Sequence, residues 1–560
     1  MTVTDASTMS AEAVAAMINA LQAELDGVKA EMAAKVASLE ESVTGLAHEN
    51  ALLKRRLYGK KTERSHTSEL QLTIGDLLAS ETKLQADLDA AVAQATSAAP
   101  PPAEPTGKPR PHGRRDLFAS NLPRVLVEIV HEDLEARGCR CIGHDESRQL
   151  GFRRGGFFVL VKRVAKYEVV EDGAATVVAT PTPETLFPKA LLHTSTVAHL
   201  ITSKFALGVP HYRLERELEA EGMPLDRGLM SRYVEHAGNT LGATIVAAMW
   251  RDALAHGQVI STDATGALIQ PTKAKDGKSL GCKKGHFFTA VVDASAVLFH
   301  YAEHHTSEAV QQLFAGFTGY LQADASAVYD ILDRGPPTDT DDGVTLVGCW
   351  AHCRRYFFEA ALCRYPVGLQ GLMRIRAIYA ADRAGRRVAR AERGAFRATH
   401  LGPLMDDFFR WARAARDTTP GRNLATKALG YALNQEAELR RVLDDGDLPL
   451  DNTRAERALR KIVVGRKNWL FYGSDTHAEA AAALFSLLAS CRLHGVEPFA
   501  YLDEVLRVLP SWPRERYLEL APAHWRATRA RLNPAELDMP ISSFEVPPVL
   551  AAPAPSAASI

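Results

Sequence analysis

Three acidic residues stand where a folded chain could bring carboxylates together. Asp263 lies in the middle of VISTDATGALI, Asp324 closes YLQAD, and Glu456 sits in DNTRAERALRKIVVGRKNWLF. The second acid follows the first by 61 residues, and the third follows the second by 132. Two carboxylates from neighbouring strands and a third from a helix can hold two divalent cations about 3.5–4 Å apart. Phosphodiester chemistry uses such a clamp because the attacking and the leaving oxygen both carry developing negative charge. Mg2+ suits the role through its preference for hard oxygen ligands, with Mn2+ as the alternative ion. Spacing alone does not single out three among 67 acidic residues, and Asp293, Asp330 and Asp333 are the nearest competitors.

The elements that would position these acids follow from pattern. VISTDATGALI, HFFTAVVD and AVLFHYA read as strands, the last two separated by the turn Asp293-Ala294-Ser295. Asp is expected in such a turn for local hydrogen bonding, which ranks Asp293 below the other acids. SEAVQQLFAGF reads as a helix, YLQAD as a strand, and VTLVGCW as a strand entering the helix AHCRRYFFEAAL. This β-β-β-α-β-α-β-α order implies a mixed sheet flanked by helices. Asp451 or Asn452 can cap a helix that presents Glu456 about one turn in. The expected core spans 250–362 and 448–510, interrupted by a wholly helical insertion over 363–447, with a C-terminal extension and tail at 511–560.

Upstream, Leu25, Met32, Leu39, Leu46 and Leu53 recur every seven residues. With Val36, Val43 and Asn50 at the matching a positions, the pattern predicts a coiled coil within 10–93 that pairs chains. Residues 94–123 form a Pro-rich basic linker, and 124–190 a small β domain. Within 191–245, HYRLERELEAEGMPLDRGLMSRYVEHAG has the punctuation of a helix-turn-helix, with Arg227 and Arg232 on a second helix from about Asp226 to His236.

Seven cysteines at irregular spacing do not make a disulfide framework and fit a reducing, cytoplasmic setting. MTVTDASTMS lacks the layout of a signal peptide, and no run of about 20 apolar residues offers a membrane span. The net charge of −1 gives no global sign of a polyanionic partner. Between Arg354 and Lys467, however, 24 Lys and Arg stand against 13 Asp and Glu, a local excess of +11. Arg354, Arg355, Arg457, Arg460, Arg466 and Lys467, with Trp469 interleaved, are the candidate DNA contacts. Cys349, His352 and Cys353 look metal-like but stand at a strand-to-helix junction, where packing is expected.

The segment from Pro449 through Leu506, with its Ala-Glu-Arg helix and Arg-Lys-Asn-Trp-Leu-Phe stretch, resembles the C-terminal catalytic block of the insertion sequence 66 family of bacterial transposases. GCWAHCRRYFFEA resembles the same family's Gly-Cys-Trp-Ala-His block, and the order of zipper, Gly-Lys-Lys-Thr-Glu-Arg-Ser element at 59–65, small domain and helix-turn-helix agrees over roughly residues 15 to 510. The resemblance implies a ribonuclease-H-like α/β core whose Asp-Asp-Glu triad falls, by matching motifs, on Asp263, Asp324 and Glu456. It implies a nucleoid-associated transposase that binds terminal inverted repeats, cuts at the element ends and joins them to target DNA, with two Mg2+ ions, self-association and accessory proteins of the same element. Ala264 and Ala325-Ser326 depart from the family's usual neighbours of the first two acids, which keeps a catalytically inactive DNA-binding relic and a nuclease without strand transfer as alternatives. The family's two cysteine pairs are reduced here to Cys139 and Cys141, so a metal-free β domain is expected rather than a zinc site.

Overall fold

The computed structural model describes residues 16, 19–20, 22–33, 35–36, 43, 82–98, 166–171, 174–179, 183–187, 190–220, 225–270, 281–333, 343–539 and 544–549. Residues 22–33 are helical, with Leu25 and Met32 exposed, as are Val36 and Val43. The remaining zipper positions, the element at 59–65, and Cys139 and Cys141 lie outside the described residues.

Helix α1 (Thr82–Ala98) runs on past the point where the Ala- and Pro-rich linker was expected to start. Its Leu88 and Ala95 are buried in the core of the helical insertion. Strands β1 (Lys166–Glu171) and β2 (Ala174–Ala179) form an antiparallel hairpin.

The helix-turn-helix candidate is built from α2 (Thr194–Ile201), α3 (His211–Ala220) and α4 (Arg227–Leu241). Asp226 caps α4 by accepting from the Leu229 amide at 3.1 Å, and Glu215 on α3 accepts from the Arg227 amide at 3.1 Å. The second helix is longer than its sequence punctuation suggested. It continues through a π-helical turn (Gly242–Val246) into α5 (Ala247–His256), because Met230, Val234, Ala237 and Leu241 bury one continuous face. Gly238 allows the closest approach, since a Cβ there would meet Ala480 O at 2.7 Å.

The central sheet comprises β3 (Val259–Ile269), β4 (Lys283–Val292) and β5 (Ala296–Ala302), then α6 (Ser307–Leu313), β6 (Gly319–Gln322) and β7 (Val344–Val347). The strands lie in the order β5-β4-β3-β6-β7, with β3, β4 and β5 antiparallel and β3, β6 and β7 parallel. Between β6 and β7 the described residues contain a 3₁₀ turn at Asp330–Leu332 rather than the expected helix. Asp293 adopts φ 45° in the β4–β5 turn and accepts from the amides of Gln258 and Val259. It is a turn residue, as its position suggested.

After α7 (Trp350–Leu362) the insertion is helical as expected: α8 (Pro366–Gly385), α9 (Arg393–His400), α10 (Gly402–Thr418), α11 (Leu424–Asn434) and α12 (Glu436–Arg440). Trp350, Phe357, Phe408 and Phe409 form its aromatic centre. Many of its arginines are consumed internally. Arg397, only 5% exposed, pairs with Asp382 at 2.8 Å and donates to three carbonyls, while Arg393, Arg413, Arg440 and Arg441 pair with Asp447, Glu436, Asp406 and Asp333. The local excess of +11 therefore overstates the free cationic surface.

The chain returns to the sheet through α13 (Thr453–Trp469) and α14 (Asp475–Leu493), followed by α15 (Pro498–Val508), α16 (Pro522–Arg529) and α17 (Pro534–Asp538). No described helix is long and apolar enough to cross a membrane. Helix α14 covers the edge strand β5 and satisfies its outward amides through side chains. Ser486 Oγ accepts from Phe299 N at 2.8 Å and Ser490 Oγ from Val297 N at 3.1 Å. An uncovered edge would present these groups to other chains. Replacing Ser486 with Ala leaves a buried amide unpaired, and denaturant unfolding is expected to show a loss of about 1–3 kcal/mol.

Candidate active site

Asp263 occupies the centre of β3, opposite Thr289 of β4. Asp324 stands two residues past the end of β6, the parallel neighbour of β3, and Glu456 lies in the first turn of α13. All three are half-buried. The fold brings them together: Asp263 is close enough to Asp324 and Glu456 to feel both charges. Burial, and secondarily those two carboxylates, raise its pKa to about 6, against a lowering by the Ala264 amide bonded to its Oδ1 at 2.7 Å. The competitors are engaged elsewhere: Asp293 in its turn and Asp333 with Arg441, while Asp330 is exposed on the 3₁₀ turn.

A buried polar clamp sets this convergence. The Asn452 side chain donates to Thr262 O, one residue before Asp263, while the Asn452 amide donates to Cys349 Sγ at 3.3 Å and its carbonyl accepts from Glu456 N at 3.2 Å. Asn452 thus does not cap α13 with its side chain. Asp451 takes part of that work, accepting from Thr453 N at 3.1 Å and from the Tyr379 hydroxyl at 3.0 Å. Gln322 extends the clamp, accepting from Ser261 at 3.3 Å and donating to Pro449 O at 2.6 Å. At its far end α13 is tied to the same strand, through Arg466 to Gly266 O and Tyr472 N to Leu268 O.

Two further residues face the acids. His352 Nε2 lies 3.9 Å from Glu456 Oε1, and burial lowers its pKa despite the adjoining carboxylates. Arg355, exposed on α7, is close enough to lower the pKa of Asp263. The motif around Cys349, His352 and Cys353 signalled this site, but for its histidine rather than its thiols. Burial pushes the thiol of Cys349 up to about 11 and that of Cys353 higher, which keeps them neutral and inside the core.

Among the described residues no three His, Cys, Asp or Glu side chains are drawn into a closed ligand group. Mutual repulsion of three carboxylates opposes closer approach until a counter-charge joins them. The donors suit a hard cation: three carboxylates with no ion pair to Lys or Arg among the described residues, with the buried Tyr329 hydroxyl close enough to Asp324 and Asp263 to feel their charges.

The remaining predicted contacts divide by helix face. Ala455, Leu459, Ile462 and Gly465 of α13 are buried, whereas Arg457, Arg460, Val464 and Lys467 form an exposed stripe at spacings of three and four. Arg466 and Trp469 fall on the protein side: Arg466 holds β3, and Trp469 packs edge-on against Phe205 at 5.9 Å. Arg354 is exposed on α7, and Arg227 and Arg232 are exposed on α4.

Residues 189–480 match the family model described as Transposase IS66 family. The chain belongs to the IS66 transposase family. Residues 486–523 match its IS66 C-terminal element, and residues 45–127 match a model described as Transposase C of IS166 homeodomain. Among similar proteins, the uncharacterized protein y4qI of Sinorhizobium fredii (strain NBRC 101917 / NGR234) is 26% identical over 540 residues, covering 92% of this chain and 97% of its own. The uncharacterized protein y4hP of the same organism is 26% identical over 514 residues, covering 85% and 88%. No solved structure matches.

In this IS66 family member the raised pKa of Asp263 carries a stability consequence. The folded chain holds its proton to about pH 6, above the value of an unfolded Asp, so this carboxyl costs stability as pH rises through that window. Asp263→Asn is expected to stabilise the protein by roughly 1–3 kcal/mol at pH 7.5 in metal-free buffer, a gain that vanishes toward pH 4 in chemical denaturation.

Proposed function

We propose that this protein is a metal-dependent DNA transposase that binds the ends of a mobile element, cleaves there and joins the exposed 3′ hydroxyls to target DNA. The observation that carries the proposal is the meeting of Asp263, Asp324 and Glu456 in one half-buried place, from three segments far apart in sequence. The mixed five-stranded sheet supports a ribonuclease-H-like core.

In this reading the three carboxylates would hold Mg2+, or Mn2+ in its place, which when bound supplies charge neutralisation at phosphorus and activation of the attacking oxygen. Asp263 contributes from β3, which is paired with β4 at this position and with β6 up to Ser261. Glu456 is oriented by the Asn452 clamp, and Asp324 enters from the end of β6. His352 stands beside Glu456 as a neutral ring able to exchange a hydrogen bond with it or with the incoming phosphodiester. Arg354 and Arg355 on α7 and the stripe Arg457, Arg460 and Lys467 on α13 would take backbone phosphates on the two sides of the acids. Arg227 and Arg232, at the exposed start of α4, would meet the terminal repeat.

Pairing of two ends needs at least two protomers. The exposed Leu25, Met32, Val36 and Val43 support pairing through the N-terminal helix. Accessory proteins of the same element are further proposed partners. The small domain that contains Cys139 and Cys141 is proposed to work without zinc.

The test is incubation of the full chain with labelled DNA carrying the element's ends, with and without Mg2+. Cleavage and joined products are expected, and Glu456→Gln is expected to reduce cleavage by about 100-fold or more, as loss of a ligand exceeds the typical effect of an outer-shell change. Binding without cleavage by the wild type would instead indicate a DNA-binding relic, and cleavage without joining a nuclease. Equal cleavage by Glu456→Gln would remove that residue from the triad.

A further inference from the structure

A second polar cavity lies apart from the acids, at the other end of α13. It has a volume of about 190 Å³, and Lys204, Ser231, Glu235, Tyr472 and His477 are among its lining residues. Lys204 projects from a π-helical turn, Thr202–Ala206, a local widening that is frequent at functional sites. Just after the turn the chain is pressed against the last turn of α13: Gly208, at φ +79°, would place a Cβ 2.7 Å from Asn468 Nδ2.

The polar groups around the cavity are unevenly matched. Glu235 is already engaged, accepting from the Thr476 hydroxyl at 2.7 Å and pairing with His477 at 3.1 Å. His477 in turn reaches Ser231 at 3.2 Å. Lys204 has no ion pair or hydrogen bond among the described residues. Its ammonium lies over the rings of Phe205 and Trp469, at 5.4 and 5.7 Å, and burial lowers its pKa to about 8. Beside it, the buried Trp469 Nε1 is turned to Tyr472 Oη, which leaves the phenol proton to donate, and the buried His211 Nε2 has no partner among the described residues. Tyr472 is only 5% exposed, and its hydroxyl adjoins the Trp469 indole. His211 adjoins Lys204 and His477, and burial with those neighbours drives its pKa down to about 3.

The lysine that lines this cavity has no acceptor of its own among the described residues. Water can serve in part, but the volume exceeds that of one water several-fold, and no water molecule supplies the negative charge that an unpaired buried ammonium calls for. Lys467, exposed on the last turn of α13, puts the cavity beside the proposed DNA-binding stripe. Glu456 and Trp469 are separated by 13 helical residues, about 20 Å at 1.5 Å each, so this is not the reacting centre.

We infer that the cavity beneath the Arg466–Gly473 segment is a phosphate-binding site, built on Lys204 and the Tyr472 hydroxyl, that takes a phosphodiester of the bound DNA strand or an equivalent phosphate anion. The inference rests on the DNA-binding part of the function proposed above. It also gives Trp469 a task other than base stacking: its indole supports the ammonium with its face.

The test measures affinity of the full chain for labelled duplex DNA carrying the element's end across a series of NaCl concentrations, and in parallel its calorimetric titration with inorganic phosphate. Wild type is compared with Lys204→Met, Lys204→Arg and Tyr472→Phe, each checked for an unchanged melting curve. Each phosphate neutralised contributes about 0.9 to the slope of log affinity against log salt. Lys204→Met is expected to reduce that slope by about 0.9, Lys204→Arg to restore it, and Tyr472→Phe to weaken binding with the slope retained. An unchanged slope with saturable phosphate binding that Lys204→Met abolishes would assign the site to a free anion. If both readouts are the same in wild type and a folded Lys204→Met, the site is overturned. Wild type that binds DNA with the expected slope but cleaves nothing would defeat the catalytic proposal and leave this one standing; wild type that binds no DNA leaves the phosphate titration to decide it.

Discussion

Holding three carboxylates in one half-buried place costs free energy, and the rest of this structure is arranged around meeting that cost. Asp263 shows it directly, with its proton held to about pH 6 by burial and by the two neighbouring acids. Nothing in the local conformation of β3, β6 or α13 favours the meeting, since each carries a charge that repels the others. The convergence depends on neutral contacts outside the carboxylates themselves. The Asn452 clamp joins β3, the start of α7 and the start of α13, and Gln322 joins β3 to β6 and to the segment entering α13. Buried amides of this kind are costly unless bonded, and their bonds fix a single register because any slip would leave them unpaired.

The outer layers reinforce that register. Helix α13 is tied to β3 near both ends, so Glu456 is placed by a rigid body rather than by a flexible loop. Helix α14 then seals the opposite edge of the sheet, with Ser486 and Ser490 occupying the amides of β5. The helical insertion adds a second core of its own, into which α1 also packs, and its arginines are spent largely on internal acids. Its high cation count therefore describes how the insertion holds together more than what it touches. Exposed cations flank the acids on α7 and α13 and stand on the first turns of α4.

The family match agrees with this geometry at the level of the whole chain, while the similar proteins add no assigned activity. What the site can do is consequently argued from its residues. Two polar neighbourhoods stand out, one around the acids and one around Lys204, at opposite ends of α13. The first is rich in carboxylate oxygen and suits a cation; the second has an ammonium with no ion pair among the described residues and suits an anion. A single helix thus spans both kinds of charge that binding and cutting a phosphodiester chain would require.

The amino-acid sequence by itself determined the elements and the membership. Alternating apolar runs specified β3, β4 and β5, the turn at Asp293 followed from its residue type, and long local motifs pointed to the family and to Glu456. These are short-range properties, written in periodicity and in contiguous residues. Only the tertiary structure decided which acids meet, that Asn452 spans to Thr262 instead of capping its helix, and that α4 runs on to α5 beneath α14. It also turned Arg466 and Trp469 inward from a motif that read as a gripping surface. The physical reason is the same in each case: a helix face, a charge's partner or a hydrogen bond across 190 residues is settled by what packs opposite, and that partner is not adjacent in the chain.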